Sequence, residues 1–145
     1  SSAASDVYKR QQDIQIKVSR NYSCINESQM ISILAVMVKF RNVCAHGERL
    51  FTYRTTDSIP DLPLHMKLKI VKKGTQYVNG KNDLFSVVIA LRYMLSDGWY
   101  KEFIKELKAL IDKYLKKHDS ISEQELYEKM GFPENWRKIT RYRKQ

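Results

Sequence analysis

Met30-Ile31-Ser32-Ile33-Leu34-Ala35-Val36-Met37-Val38-Lys39-Phe40-Arg41-Asn42-Val43-Cys44-Ala45-His46 is the stretch on which the fold turns. It is too long for a strand and carries no proline or glycine, so it reads as a helix. Asn26 is a good cap, and Gln29, three residues on, completes a capping box. Apolar residues fall on nearly every face, which predicts a helix buried on most sides, by its own domain or by a partner chain. The polar exceptions Ser32, Lys39, Asn42, His46 and Arg49 follow spacings of seven, three, four and three, which predicts one polar stripe. Arg41 lies about 100° round from Asn42. Gly47 is placed to loosen or end the helix, and Cys44 is expected on its buried side as a small core residue.

Upstream, residues 12–18 read as a short helical stretch and 20–25 as a connector. Residues 1–11 fit no amphipathic pattern and resemble adapter-derived sequence, so they are set aside as an extraneous leader. The chain is then expected to be the C-terminal part of a longer protein. Downstream, residues 55–64 form a loop marked by Pro60 and Pro63. Residues 64–80 read as an extended basic loop. Their alternation from Lys67 to Lys72, answered by Thr75 to Val78, would give only two lone strands. Helices are predicted over Leu84 to Leu95, capped by Asn82 or Asp83, and over Asp97 to His118, capped by Ser96. The second shows an apolar face of Trp99, Phe103, Leu107, Leu110, Ile111 and Tyr114. A capping box at Ser122 and Glu125 starts a short helix ending at Gly131, and Pro133 starts a last turn through Trp136. A basic tail over 139–145 closes the chain.

With 145 residues this is one domain, long enough to bury a core. No apolar run reaches the ~18 residues of a membrane span. The formal charge of +10 favours a polyanionic partner, nucleic acid or an anionic surface. Two cysteines, Cys24 and Cys44, form neither a disulfide framework nor a CxxC metal pair, and a reducing cytoplasm suits them. His65 and His118 lack carboxylate or Cys partners at metal spacing and read as surface residues. No metal site and no cofactor are expected.

The chemistry gathers at the end of the opening helix. Metal-free RNA cleavage needs a group to take or give a proton, and cations or donors for the charged phosphorane. A histidine titrating near ~6.5 serves the first need. An arginine fork matches phosphate oxygens. Asn42, four residues before His46, can orient the imidazole or bind phosphate. One histidine gives one proton-transfer group, so two copies of the strip across a homodimer would complete the site.

Phe40-Arg41-Asn42-Val43-Cys44-Ala45-His46 with Glu48-Arg49-Leu50 resembles the signature of the Abi-like (AbiD/AbiF) abortive-infection proteins of the HEPN superfamily, whose mark is Arg-x4-His with a polar second residue. Gly80-Lys81-Asn82-Asp83-Leu84-Phe85 and Met130-Gly131-Phe132-Pro133-Glu134-Asn135-Trp136 resemble later blocks of that family, which takes the resemblance across residues 12–138. It implies an all-α, HEPN-like helical bundle with the basic extended loop set between the motif helix and the C-terminal helices. It also implies a metal-independent endoribonuclease completed by dimerisation and acting in phage defence. Arg41, Asn42 and His46 would be catalytic, and the products a 2',3'-cyclic phosphate and a 5'-hydroxyl. Partners would be RNA, a second copy through the motif helix and an antitoxin. Glu48 stands where the adenylylated members carry Tyr, so that regulation is not carried over.

RNA contacts are expected from Lys39, Arg49, Arg137, Lys138, Arg141 and Arg143. Against this stands a blander reading in which the basic stretches are solvated charge, Arg49 is a structural pair, and Trp99 and Trp136 are packing residues. A non-catalytic helical module that binds RNA or protein in a defence system is the alternative function.

Overall fold

The computed structural model describes residues 24–44, 47 and 49–145. The leader assigned to 1–11, the helical stretch at 12–18 and most of the 20–25 connector lie outside the described residues, as does His46. Helix α1 spans Glu27–Val43. It is followed by α2 (Arg49–Thr52), α3 (Pro63–Lys67), a hairpin of β1 (Lys72–Lys73) and β2 (Gln76–Tyr77), α4 (Leu84–Met94), α5 (Asp97–Lys117), α6 (Glu123–Met130) and a 3-10 helix (Trp136–Arg141). The all-α expectation holds, with the two-residue hairpin as its small exception.

Local chemistry sets the boundaries. Asn26 accepts the Gln29 N–H at 2.8 Å while the Gln29 side chain accepts the Asn26 N–H at 2.9 Å, the reciprocal box predicted for α1. Ser122 accepts the Glu125 N–H at 3.1 Å and starts α6. Gly131 ends α6 at φ 74°, and a side chain there would meet the Asp83 carboxylate at 2.1 Å. Glycine is therefore required twice over, for its backbone and for its missing Cβ. Pro63 opens α3, where its missing N–H costs nothing.

One core joins the helices. α1 lays Met30, Ile33, Val36, Phe40 and Val43 into it, packing on α4 and α2. Phe40 meets Tyr53 edge-on at 5.2 Å, and Phe51 meets Tyr114 of α5 at 5.3 Å, so the residues just after the motif bridge α1 to α5. Trp136 and Ile139 are fully buried, which seats the 3-10 helix against α5.

Several expectations need correction. α1 is buried on one side only: Ile31, Leu34 and Val38 stay exposed at 44%, 37% and 47%. The polar stripe does not run on to Arg49, because α1 ends at Val43 and Arg49 starts a separate helix. Cys44 is exposed rather than buried, since α1 turns its Phe40–Val43 side to the core. On α5 the predicted face holds for Phe103, Leu107, Ile111 and Tyr114, which pack on the core together with Tyr100 and Ile104, whereas Trp99 and Leu110 stand 71% and 63% exposed. The last turn begins at Trp136 and not at Pro133. Within the predicted loop, α3 and the hairpin form instead, with Lys72 opposite Tyr77 and Gly74 at φ 66° in the turn. The pairing is one residue pair longer at its base, where the Val78 N–H reaches the Val71 carbonyl at 2.9 Å.

His65 is the largest departure. It was expected at the surface and is completely buried. Its Nε2 donates to the Gly80 carbonyl at 2.6 Å, and its Nδ1 accepts the Leu62 N–H at 3.0 Å. That pattern assigns the neutral Nε2–H tautomer. Burial holds its pKa below the ordinary imidazole value, against the opposing pull of the Gly80 bond. Tyr77 stacks on the ring at 5.1 Å. The other backbone polar group of Gly80 is held as well: its N–H donates to both Asp83 carboxylate oxygens, at 3.1 and 3.0 Å. Asp83 also caps α4 through the Ser86 N–H at 3.0 Å. One glycine thus pins the hairpin's exit to α3 and α4 together.

Candidate functional site

Arg41 and Asn42 occupy the last turn of α1, and both are exposed. Val38 lies three residues before one and four before the other, one turn beneath both and between them in direction. The exposed face of α1 is therefore an apolar strip of Ile31, Leu34, Ala35 and Val38 that ends in a guanidinium and an amide. Sequence reasoning put Asn42 with Ser32 and Lys39 and left Arg41 to reach round. The burial pattern places Arg41 and Asn42 on the same outward face, and Ser32 and Lys39 at its half-buried edge.

α1 stops here because its terminal groups are satisfied early. The Cys44 N–H returns to the Phe40 and Arg41 carbonyls, and Gly47 follows in a left-handed conformation at φ 58°. The Gly47 carbonyl then receives the Leu50 N–H at 3.0 Å as α2 begins. His46 falls between these two anchored points in the sequence and outside the described residues.

The six expected RNA contacts divide. Lys39 is paired with Asp57 at 2.5 Å, tying α1 to the loop after α2. Arg137 is a brace: it pairs with Asp112 at 2.8 Å, approaches Glu123 at 3.6 Å, bonds the Tyr127 hydroxyl at 3.2 Å and lies over the Trp136 ring at 5.1 Å. Arg49, Lys138, Arg141 and Arg143 are exposed. Arg141 and Arg143 line a small cavity with Arg92 and Lys101. Neither of the last two was singled out from sequence, though a lone arginine in the apolar run 84–95 was the available signal.

The 139–145 stretch is tied down along its backbone. Ile139 is buried, the Tyr93 hydroxyl donates to the Lys144 carbonyl at 2.8 Å, and Lys67 donates to the Arg143 carbonyl at 2.8 Å. Among the described residues no helix is long and apolar enough to cross a membrane.

The fold and site thus describe an all-α domain that presents an arginine and an amide at the exposed end of one helix. A family model described as Abi-like protein matches residues 2–52, which bears out the resemblance read from the motif. The match begins inside the stretch set aside as a leader and ends with α2. The likeness of 80–85 and 130–136 to later family blocks lies beyond it and stands on their sequence alone. No curated protein and no solved structure matches the chain.

Proposed function

We propose that this chain is a metal-independent endoribonuclease of the HEPN type, acting in abortive-infection phage defence. The Abi-like match over residues 2–52 supports the defence role. The observation that carries the chemistry is the exposed pair Arg41 and Asn42 at the end of an apolar helix face, with His46 four residues after Asn42. In this reading Arg41 binds the scissile phosphate and stabilises the phosphorane through paired N–H donors. His46 takes the 2'-hydroxyl proton or supplies one to the leaving 5'-oxygen. Asn42 orients the imidazole or the phosphate.

A second copy of the chain is the fitting partner for the strip Ile31, Leu34, Ala35 and Val38. Side-by-side contact of two such helices running in the same sense about a two-fold axis covers apolar surface that water otherwise meets. It also sets two Arg41–Asn42 ends in one composite site and supplies the second histidine that acid and base catalysis together require. The site is then cytoplasmic, faces RNA, and is open to restraint by an antitoxin.

The test is cleavage of single-stranded RNA in EDTA by the wild type, His46→Ala and Arg41→Ala, with the product ends identified. The proposal expects 2',3'-cyclic phosphate and 5'-hydroxyl ends from the wild type and loss of cleavage in both variants. RNA binding without turnover by the wild type would favour the non-catalytic module instead.

A further inference from the structure

We propose that the cavity between the end of α4, the start of α5 and the C-terminal segment binds a terminal phosphate, a phosphate monoester carried by a nucleotide or by an RNA end. The cavity measures about 150 Å³ and is walled by Arg92, Lys101, Arg141 and Arg143, with Asp97 and Tyr100. At roughly 30 Å³ per water that is the space of about five waters, enough for a tetrahedral anion. Four cationic residues therefore line this cavity against a single acidic one.

Arg92 makes the strongest case. It is only 8% exposed and sits on the otherwise apolar α4. One of its five N–H donors bonds Asp97 at 2.8 Å, and its guanidinium lies 5.5 Å from the Tyr100 ring centre. Asp97 itself is 72% exposed, so the ion pair returns little for burying a guanidinium. Lys101 and Lys144 also bear on the same carboxylate, whose pKa is held down first by the Arg92 hydrogen bond. Crowding this many cations around one weakly buried anion is unfavourable until a second anion enters.

The cavity is also built in advance. Hydrogen bonds from the Tyr93 hydroxyl and the Lys67 ammonium to the backbone carbonyls of Lys144 and Arg143 fix the segment that carries Arg141 and Arg143. The backbone that carries the two arginines is thus held in place without the ordering cost of a loose tail. A chain-internal diester must leave such a small cavity on two sides, whereas a terminal phosphate leaves on one. The elements involved differ from those that carry Arg41 and Asn42, so the site does not rest on the cleavage reading.

The experiment uses the full chain with His46→Ala, so that RNA stays intact, and calorimetry at low salt. Its probes are adenosine 5'-monophosphate against adenosine, and a 5'-phosphorylated hexanucleotide against its 5'-hydroxyl twin. A charged hydrogen-bonded contact predicts at least about tenfold tighter binding of one or both phosphorylated probes. Arg141→Gln with Arg143→Gln, and separately Lys101→Gln, remove that preference; all three side chains belong to exposed residues, so the core is untouched. Lys113→Gln, which removes the same charge from another exposed position of α5, leaves it. Preference for the nucleotide alone identifies a free nucleotide as the source, and preference for the RNA end alone identifies RNA. Equal binding of each phosphorylated probe and its twin overturns the site, as does equal loss with Lys113→Gln. RNA cleavage by the His46→Ala chain would defeat the nuclease reading and leave this result standing.

Discussion

His65 and Asp83 hold the carbonyl and the N–H of Gly80, and burial shifts their pKa values in opposite directions. Asp83 is pushed up to about 6 by burial, against the lowering effect of the Gly80 and Ser86 N–H groups. Between about 3.8 and 6 the folded chain therefore holds a proton that the unfolded chain releases. Stability contributed by that proton falls as pH rises through this window. Asp83→Asn removes the titration, so the stability of the wild type relative to Asp83→Asn is expected to decline from pH 4 to pH 7 in urea melts. A relative gain with rising pH would contradict the assignment. His65 has the other sign: its folded pKa lies below its unfolded value near ~6.5, so its contribution is full above that value and is lost as pH falls towards the folded pKa. His65→Ala leaves the buried Leu62 N–H and Gly80 carbonyl without their partner, and a loss of about 2 kcal/mol or more is expected by urea denaturation. An unchanged midpoint would show that water or backbone shifts replace both bonds. Asp83 was legible as a cap because Asp before an apolar run is a local signal. His65 was not, because its partners lie three and fifteen residues away, and only the hairpin brings Gly80 to it.

At the scale of the element, α1 decides the account. Its sequence is apolar on nearly every face, and that composition predicts burial without saying which chain provides it. The domain covers the Met30–Ile33–Val36–Phe40–Val43 side and leaves Ile31, Leu34, Ala35 and Val38 outside. The helix and its capping box were readable because both depend on residues within one turn. The direction of the bare face was not readable, because it is set by where α4 and α2 pack. α5 teaches the same lesson: Phe103, Leu107, Ile111 and Tyr114 of its predicted apolar face meet the core, but Trp99 and Leu110 at the edges of that face turn outward while Tyr100 and Ile104 turn in. If the bare strip of α1 is the dimer contact, Val38→Glu places a charge there without entering the core. The expected outcome is a folded chain that sediments as a monomer and has lost RNA cleavage. A Val38→Glu chain that cleaves RNA at the wild-type rate would separate the strip from the site.

For the whole molecule, the formal charge of +10 announces a polyanion but does not say where it binds. Folding distributes that charge unevenly. Lys39 and Arg137 are committed to Asp57 and to Asp112 with Glu123, whereas Arg41 stands at the exposed end of α1, and Arg141 and Arg143 gather at a cavity with Arg92. A charge count cannot anticipate this division, since each pairing joins residues far apart in sequence. The proposed set itself needs no fold to be seen, because an arginine, an amide and a histidine stand within six residues of one another in the sequence. The central claim is that this set cleaves RNA without a metal. Its most direct test is the rate of RNA cleavage in EDTA by the wild type against His46→Ala. The account predicts cleavage that persists in EDTA and falls by about 10² or more in the variant, the scale of a lost proton-transfer group. Equal rates for the two chains, or cleavage that EDTA abolishes, would contradict it.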